Sequence, residues 1–165
     1  MYFPDMSVYP NVLDSTDLLT VGWLDANYTF AQGNSPVSAT DKLRELLVSK
    51  RDINKMRGFH VCEFCANRIF GENYAPATHD DFREYMDKTT IYLEHGNKKI
   101  LLGMSEIWIP SSFGIIYAAP SLIYHYITAH CYLPPQAFLD AVEAFDLNSA
   151  WDGEAEVKRF LIRQS

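Results

Sequence analysis

Eight consecutive residues, Gly58-Phe59-His60-Val61-Cys62-Glu63-Phe64-Cys65, carry two thiols, an imidazole and a carboxylate. Thiolate and imidazole are the donors that zinc prefers. Read as an extended chain, the stretch puts His60 and Cys62 on one face, and a turn at Glu63-Phe64 brings Cys65 beside them. The corner formed by His60, Cys62 and Cys65 is the candidate metal site, with His79, His125, His130 or Cys131 as the source of a fourth ligand. A single Cys-x-x-Cys without a second pair is a weak signal. The competing reading makes the thiols small buried hydrophobes and His60 a hydrogen-bonded residue of a sheet.

Other chemistries find less support. A redox dithiol is normally placed at a helix N-terminus, which lowers the thiol pKa. An extended stretch lacks that setting, and Glu63 adds a negative charge between the sulfurs. The zinc deaminase pattern requires Glu where the chain has Cys62. No Gly-x-Ser-x-Gly elbow, Gly-rich phosphate loop or His-Glu-x-x-His helix occurs in the sequence. His125 and His130 are five apart, so a helix does not place them on one face as it does an i, i+4 pair. His130 then reads as a core histidine and His125 as a rim residue beside Tyr117 or Tyr92. The acids at Asp14 to Asp17, Asp80-Asp81 and Asp152 to Glu156 read as solvated surface.

The elements that position these residues follow from periodicity. Thr20 to Leu24 and Tyr28 to Phe30 read as short strands around an Asp25-Ala26-Asn27 turn. Leu43, Leu46 and Leu47 make one stripe of a helix that Thr40 caps and that ends near Ser49. Asn67 to Thr78 reads as a loop, and Asp80 opens a short helix with Phe82, Tyr85 and Met86 inward. Thr89 to His95 and Ile100 to Leu102 flank a hairpin turn, and residues 106–109 and 114–117 continue an antiparallel meander. Pro120 is expected at the first position of a helix with Ile123, Tyr126, Ile127 and His130 inward. Pro134-Pro135 opens a second helix through Phe138, Leu139, Val142 and Phe145, packed beside the first, and Glu154 to Ile162 forms a last one through Val157, Phe160 and Leu161. The fold expected is α+β: one domain over residues 1–165, with an antiparallel sheet of about five strands covered by three or four helices.

Composition bounds the function. Apolar residues are 48% and charged ones 21% of the 165, which supports a packed core and not a disordered chain. A net charge of -7 opposes long-range attraction to nucleic acid or anionic lipid. No apolar run approaches the length of a membrane span and no basic, apolar leader opens the chain, so a cytoplasmic location is expected. Three cysteines do not make a disulfide framework.

The stretch from Gly58 to Cys65, with Tyr117-Ala118-Ala119-Pro120-Ser121-Leu122-Ile123-Tyr124-His125-Tyr126 and Tyr132-Leu133-Pro134-Pro135-Gln136-Ala137-Phe138, resembles a family of uncharacterised bacterial proteins known as a domain of unknown function. The Gly22 to Asp25 element belongs to the same set, and residues 145–165 lie outside it. The resemblance implies a shared fold and transfers no activity. The expected function is therefore non-catalytic binding, in its sharpest form a bacterial immunity or antitoxin-like inhibitor whose acidic face meets a basic toxin domain. Tyr2, Phe3, Tyr9, Trp23, Tyr28 and Phe30 are the candidate aromatic anchors, although core packing is the commoner use of such residues. The alternative is a metal-dependent enzyme or sensor with zinc at His60, Cys62 and Cys65.

Overall fold

The computed structural model describes residues 1–10, 16–56 and 60–162, without the side chains of the last two. Its strands are β1 (Leu18–Thr20), β2 (Tyr92–His95), β3 (Lys98–Leu101), β4 (Glu106–Pro110) and β5 (Ile116–Pro120). Its helices are α1 (Val37–Val48), α2 (Glu63–Phe70), α3 (His79–Thr89), α4 (Ile123–His130), α5 (Gln136–Ala144) and α6 (Gly153–Ile162). The α+β class is as expected, but the single five-stranded sheet and the three or four helices are not, since six helices are found among the described residues. A three-stranded sheet in the order β1-β5-β4 stands apart from the β2-β3 hairpin.

Two local features explain that division. Ile53 exchanges both backbone hydrogen bonds with Glu106 and so occupies the edge of β4 where a further strand would begin. After β3 the chain turns at Gly103, whose φ of +89° favours glycine and where a Cβ would lie 2.3 Å from the His60 carbonyl oxygen. The parallel pairing of β1 with β5, Leu18 opposite Ile116 and Thr20 opposite Ala118, was not part of the expected meander.

Strand β5 is buried at every residue because both faces of the sheet are covered. Its alternation sorts the core. Tyr117 and Ala119 face the larger cluster with Leu43, Leu46, Ile123, Tyr126, Phe138 and Val142, while Ile116 and Ala118 face Trp108, Val157 and Phe160. Helices α1, α4 and α5 thus contribute to one side and α6 to the other. The leucine stripe of α1 and the apolar stripe of α5 are buried as the sequence predicts.

Several boundaries differ. Thr40 lies inside α1, whose N-cap is Pro36. Residues 28–30 form no strand, and Pro120 closes β5 instead of opening α4. Helix α3 starts one residue earlier than expected, on a Thr78/Asp81 capping box, and leaves Phe82 exposed. Helices α4 and α5 each lie against α1. Among the aromatic anchors, Trp23 is buried with its indole N–H on the Ala118 carbonyl, and Phe30 packs on Phe64 and Tyr132. Tyr28 is exposed and stacks on Tyr2. Asp14, Gly58 and Phe59, and the side chain of Leu161, lie outside the described residues. No helix among the described residues is long and apolar enough to cross a membrane.

Candidate metal centre

The residues from Glu63 onward are helical, so the Glu63-Phe64 turn expected from the sequence is the first turn of α2. Cys62 is its N-cap and Cys65 its third residue. Side chains at those two positions face each other across a helix start, as in a capping box, and this brings the two thiols together. The carboxylate of Glu63 accepts the Ala26 N–H at 3.1 Å and ties the Asp25-Ala26-Asn27 turn to the same helix end.

The other two donors come from α4. Cys65 Sγ lies 3.4 Å from His125 Nε2 and 3.4 Å from His130 Nε2; Cys62 Sγ lies 3.2 Å from His130 Nε2, and the two imidazole nitrogens are 3.2 Å apart. Ligand atoms from all four residues lie within 4.8 Å of one another. The five-residue spacing puts the histidines about 140° apart on the helix. They converge because His130 is the final helical residue. Cys131 follows in the left-handed conformation, φ 54°, and the exit is fixed by Tyr132 N–H on the Tyr126 carbonyl and by Gly33 N–H on the Cys131 carbonyl. The ring of Phe64 tilts against His130 at 5.1 Å between centroids.

Tetrahedral zinc with bonds of about 2.3 Å to sulfur and 2.0–2.1 Å to nitrogen requires donor separations of about 3.3 Å between nitrogens and about 3.6 Å between nitrogen and sulfur. The nitrogen–nitrogen contact of 3.2 Å has that size, and the sulfur–nitrogen contacts of 3.2–3.4 Å are a few tenths of an ångström shorter. His130 Nε2 meets Cys62 Sγ, Cys65 Sγ and His125 Nε2 at once, whereas a ring nitrogen has one N–H or one lone pair to offer them. The four residues can therefore hold a metal ion such as zinc.

Protonation suits that use. Burial, His130 and Arg68 lower His125 to about 4, and burial and Arg68 lower His130, so both imidazoles stand in the neutral, ligating form. Burial pushes the Cys62 thiol up to about 12, against the polarity of the Cys65 and Phe64 N–H groups at the helix start. A metal cation bound at the sulfur would displace that proton to solvent and hold the thiolate as its ligand. The Arg68 guanidinium, one turn along α2, donates toward Cys65 Sγ at 3.8 Å.

The structure thus brings together two of the three residues predicted from the sequence. His60 is elsewhere. Its backbone N–H donates to the Gly103 carbonyl at 2.9 Å, and the residue lines a cavity of about 30 Å³ with Trp23, Met56, Glu63 and Met104. Its place is taken by His125 and His130, expected from the sequence only as sources of one further ligand. The signal that identifies both is Cys-x-x-Cys followed at a distance by His-x-x-x-x-His, a ligand spacing of zinc sites. His79 lies at the exposed start of α3 near Arg83, and Cys131 is exposed and outside the group.

The described surface acids behave as expected. Asp81 completes a cap, Asp152 accepts the Ala155 N–H, and Asp80 and Glu156 pair with Arg83 and Arg159. No curated protein and no solved structure matches the chain. A family model matches residues 1–143, a span that contains all four donors of the centre. The chain belongs to the family described as a domain of unknown function, DUF7919.

Proposed function

We propose that this is a zinc protein whose Cys62, Cys65, His125 and His130 enclose one ion in a structural centre, and that its role is to bind a partner without catalysis. The observation that supports zinc is the convergence of four donors from α2 and α4, all within 4.8 Å of one another and four of their pairs at 3.2–3.4 Å. Four protein donors complete the coordination of zinc and leave no position for water or substrate, which is the mark of a structural site. Both sulfurs are buried, so the ion would be shielded from solvent on the α2 side. Its effect is to clamp α2 to the end of α4.

Cys62 at a helix N-terminus supplies the setting that a redox dithiol uses, contrary to the sequence expectation. Against that reading, burial keeps Cys62 protonated near neutral pH, and His125 and His130 complete a metal set instead. The binding role rests on the absence of a recognised catalytic motif, and the acidic inhibitor of a basic toxin domain rests on the net charge of -7. Co-purification with basic toxin domains encoded nearby tests that part.

The zinc reading is tested by metal analysis of protein produced without added zinc. About one zinc per chain is expected in the parent, and little in a Cys62→Ser variant. Metal-free parent protein, with stability unchanged by zinc, would overturn it.

A further inference from the structure

On the sheet's α5 side a cavity of about 560 Å³ opens between the β4–β5 turn and the end of α5. That volume lies in the range of small-molecule sites. Buried Tyr117, Ala141 and Phe145 line it together with Trp151 and the exposed Phe113. Phe113 is 90% exposed at the tip of a turn that Ser111 organises, its hydroxyl accepting the Phe113 and Ile115 N–H groups. An ordered turn that holds a phenyl ring in water beside an aromatic cavity gains when an apolar body covers both.

Charge narrows the occupant. Asp140 and Asp146 line the cavity, and no Lys, Arg or His does. Asp140 accepts from Gln136 Nε2 and Asp146 from the Asn148 N–H, but neither makes an ion pair among the described residues. Lys42 and Arg51 reach the same segment and are engaged by its carbonyls: Lys42 at Glu143 and Phe145, Arg51 at Leu147, Ser149 and Trp151. They hold the wall in place without contacting the carboxylates. The Tyr117 hydroxyl makes no hydrogen bond among the described residues, and burial and then Asp140 raise its pKa, so it remains a neutral donor and acceptor.

We infer that this cavity binds a primary amine carried on an aromatic body, with the ammonium at Asp140 and Asp146 and the ring between Trp151 and Phe113 over Tyr117. Carboxylates with no resident cation attract the ammonium, and Trp151, Phe113 and Tyr117 offer faces on which an aromatic body stacks. The site lies apart from the metal centre and does not depend on it.

The test is an NMR titration of the full chain with 2-phenylethylamine and, separately, with 3-phenylpropionate, a similar body of opposite charge. The amine is expected to shift Phe113, Ala141 and Ala144 signals at millimolar concentration, and the acid to bind at least about tenfold more weakly. Asp140→Asn and Asp146→Asn should each weaken the amine, and Phe113→Ala should weaken it without changing its preference over the acid. Equal binding of amine and acid, no shift with either, or indifference to both Asn substitutions would overturn the inference. So would N-acetyl-lysine amide, an ammonium without an aromatic body, binding as tightly as the amine.

Discussion

Two polar clusters lie within this fold, and they solve the same problem in opposite ways. Around Glu106, at the start of β4, every donor has an acceptor: Tyr9 Oη and Asn54 Nδ2 donate to Oε1 at 2.8 and 2.6 Å, and Trp108 Nε1 donates to Oε2 at 2.7 Å. Around Cys65, the donor atoms of four side chains crowd within 4.8 Å of one another, and His130 Nε2 meets the other three with one N–H or one lone pair to offer. A buried polar group that is satisfied internally is structural as it stands. A set of four soft donors aimed at one point calls for something at that point.

Removing what each cluster depends on should separate them. Chelating the metal, or Cys65→Ser, is expected to give the largest loss of stability, with a Tm drop well beyond that of ordinary surface variants and reversed in the chelated parent by added zinc. Glu106→Ala should cost about 3 kcal/mol or more, because Tyr9, Asn54 and Trp108 lose their acceptor, while leaving zinc content unchanged. Denaturant unfolding with parallel metal analysis measures both. If Glu106→Ala also released the metal, the two clusters would be coupled and the contrast between them would fail.

A smaller effect is expected one shell out from the metal. Arg68→Gln removes the guanidinium beside Cys65 Sγ and should weaken zinc affinity by about tenfold in chelator competition with the fold retained. His60→Ala should leave zinc affinity unchanged, since His60 lies outside the donor group. Loss of zinc in that variant would restore the site first read from the sequence.

The pH response sharpens the comparison further. Burial holds the Glu106 carboxyl above its ordinary value of 4.5, against the pull of the Trp108, Tyr9 and Asn54 donors. Over the window between the ordinary and the raised value the folded chain keeps a proton that the unfolded chain has lost. The contribution of this group to stability therefore falls as pH rises through that window. Glu106→Gln should flatten that part of the profile, as followed by denaturant midpoints at a series of pH values.

What the sequence revealed and what it concealed have physical reasons. The stripes of α1 and α5 are long enough for a period of 3.6 to show, and the β2-β3 turn carries Gly96 at a φ of +59°. Helix α2 is eight residues long, and a short run with apolar Val61, Phe64 and Ala66 fits strand and helix alike. Reading it as a strand drew His60 into the site and put Cys62 away from a helix start. The pairing of β1 with β5 joins residues about a hundred positions apart, which no local pattern announces. The His-x-x-x-x-His spacing of His125 and His130 is a zinc-ligand spacing in the sequence, but the one-face rule for a helix interior hides it, and His130 is at the end of α4.

Zinc K-edge absorption of the purified chain tests the central claim most directly. The account predicts one zinc with a first shell of two sulfur ligands at about 2.3 Å and two imidazole nitrogens at about 2.0 Å. A shell without sulfur, one with a single imidazole and a bound water, or protein that holds no zinc would contradict it.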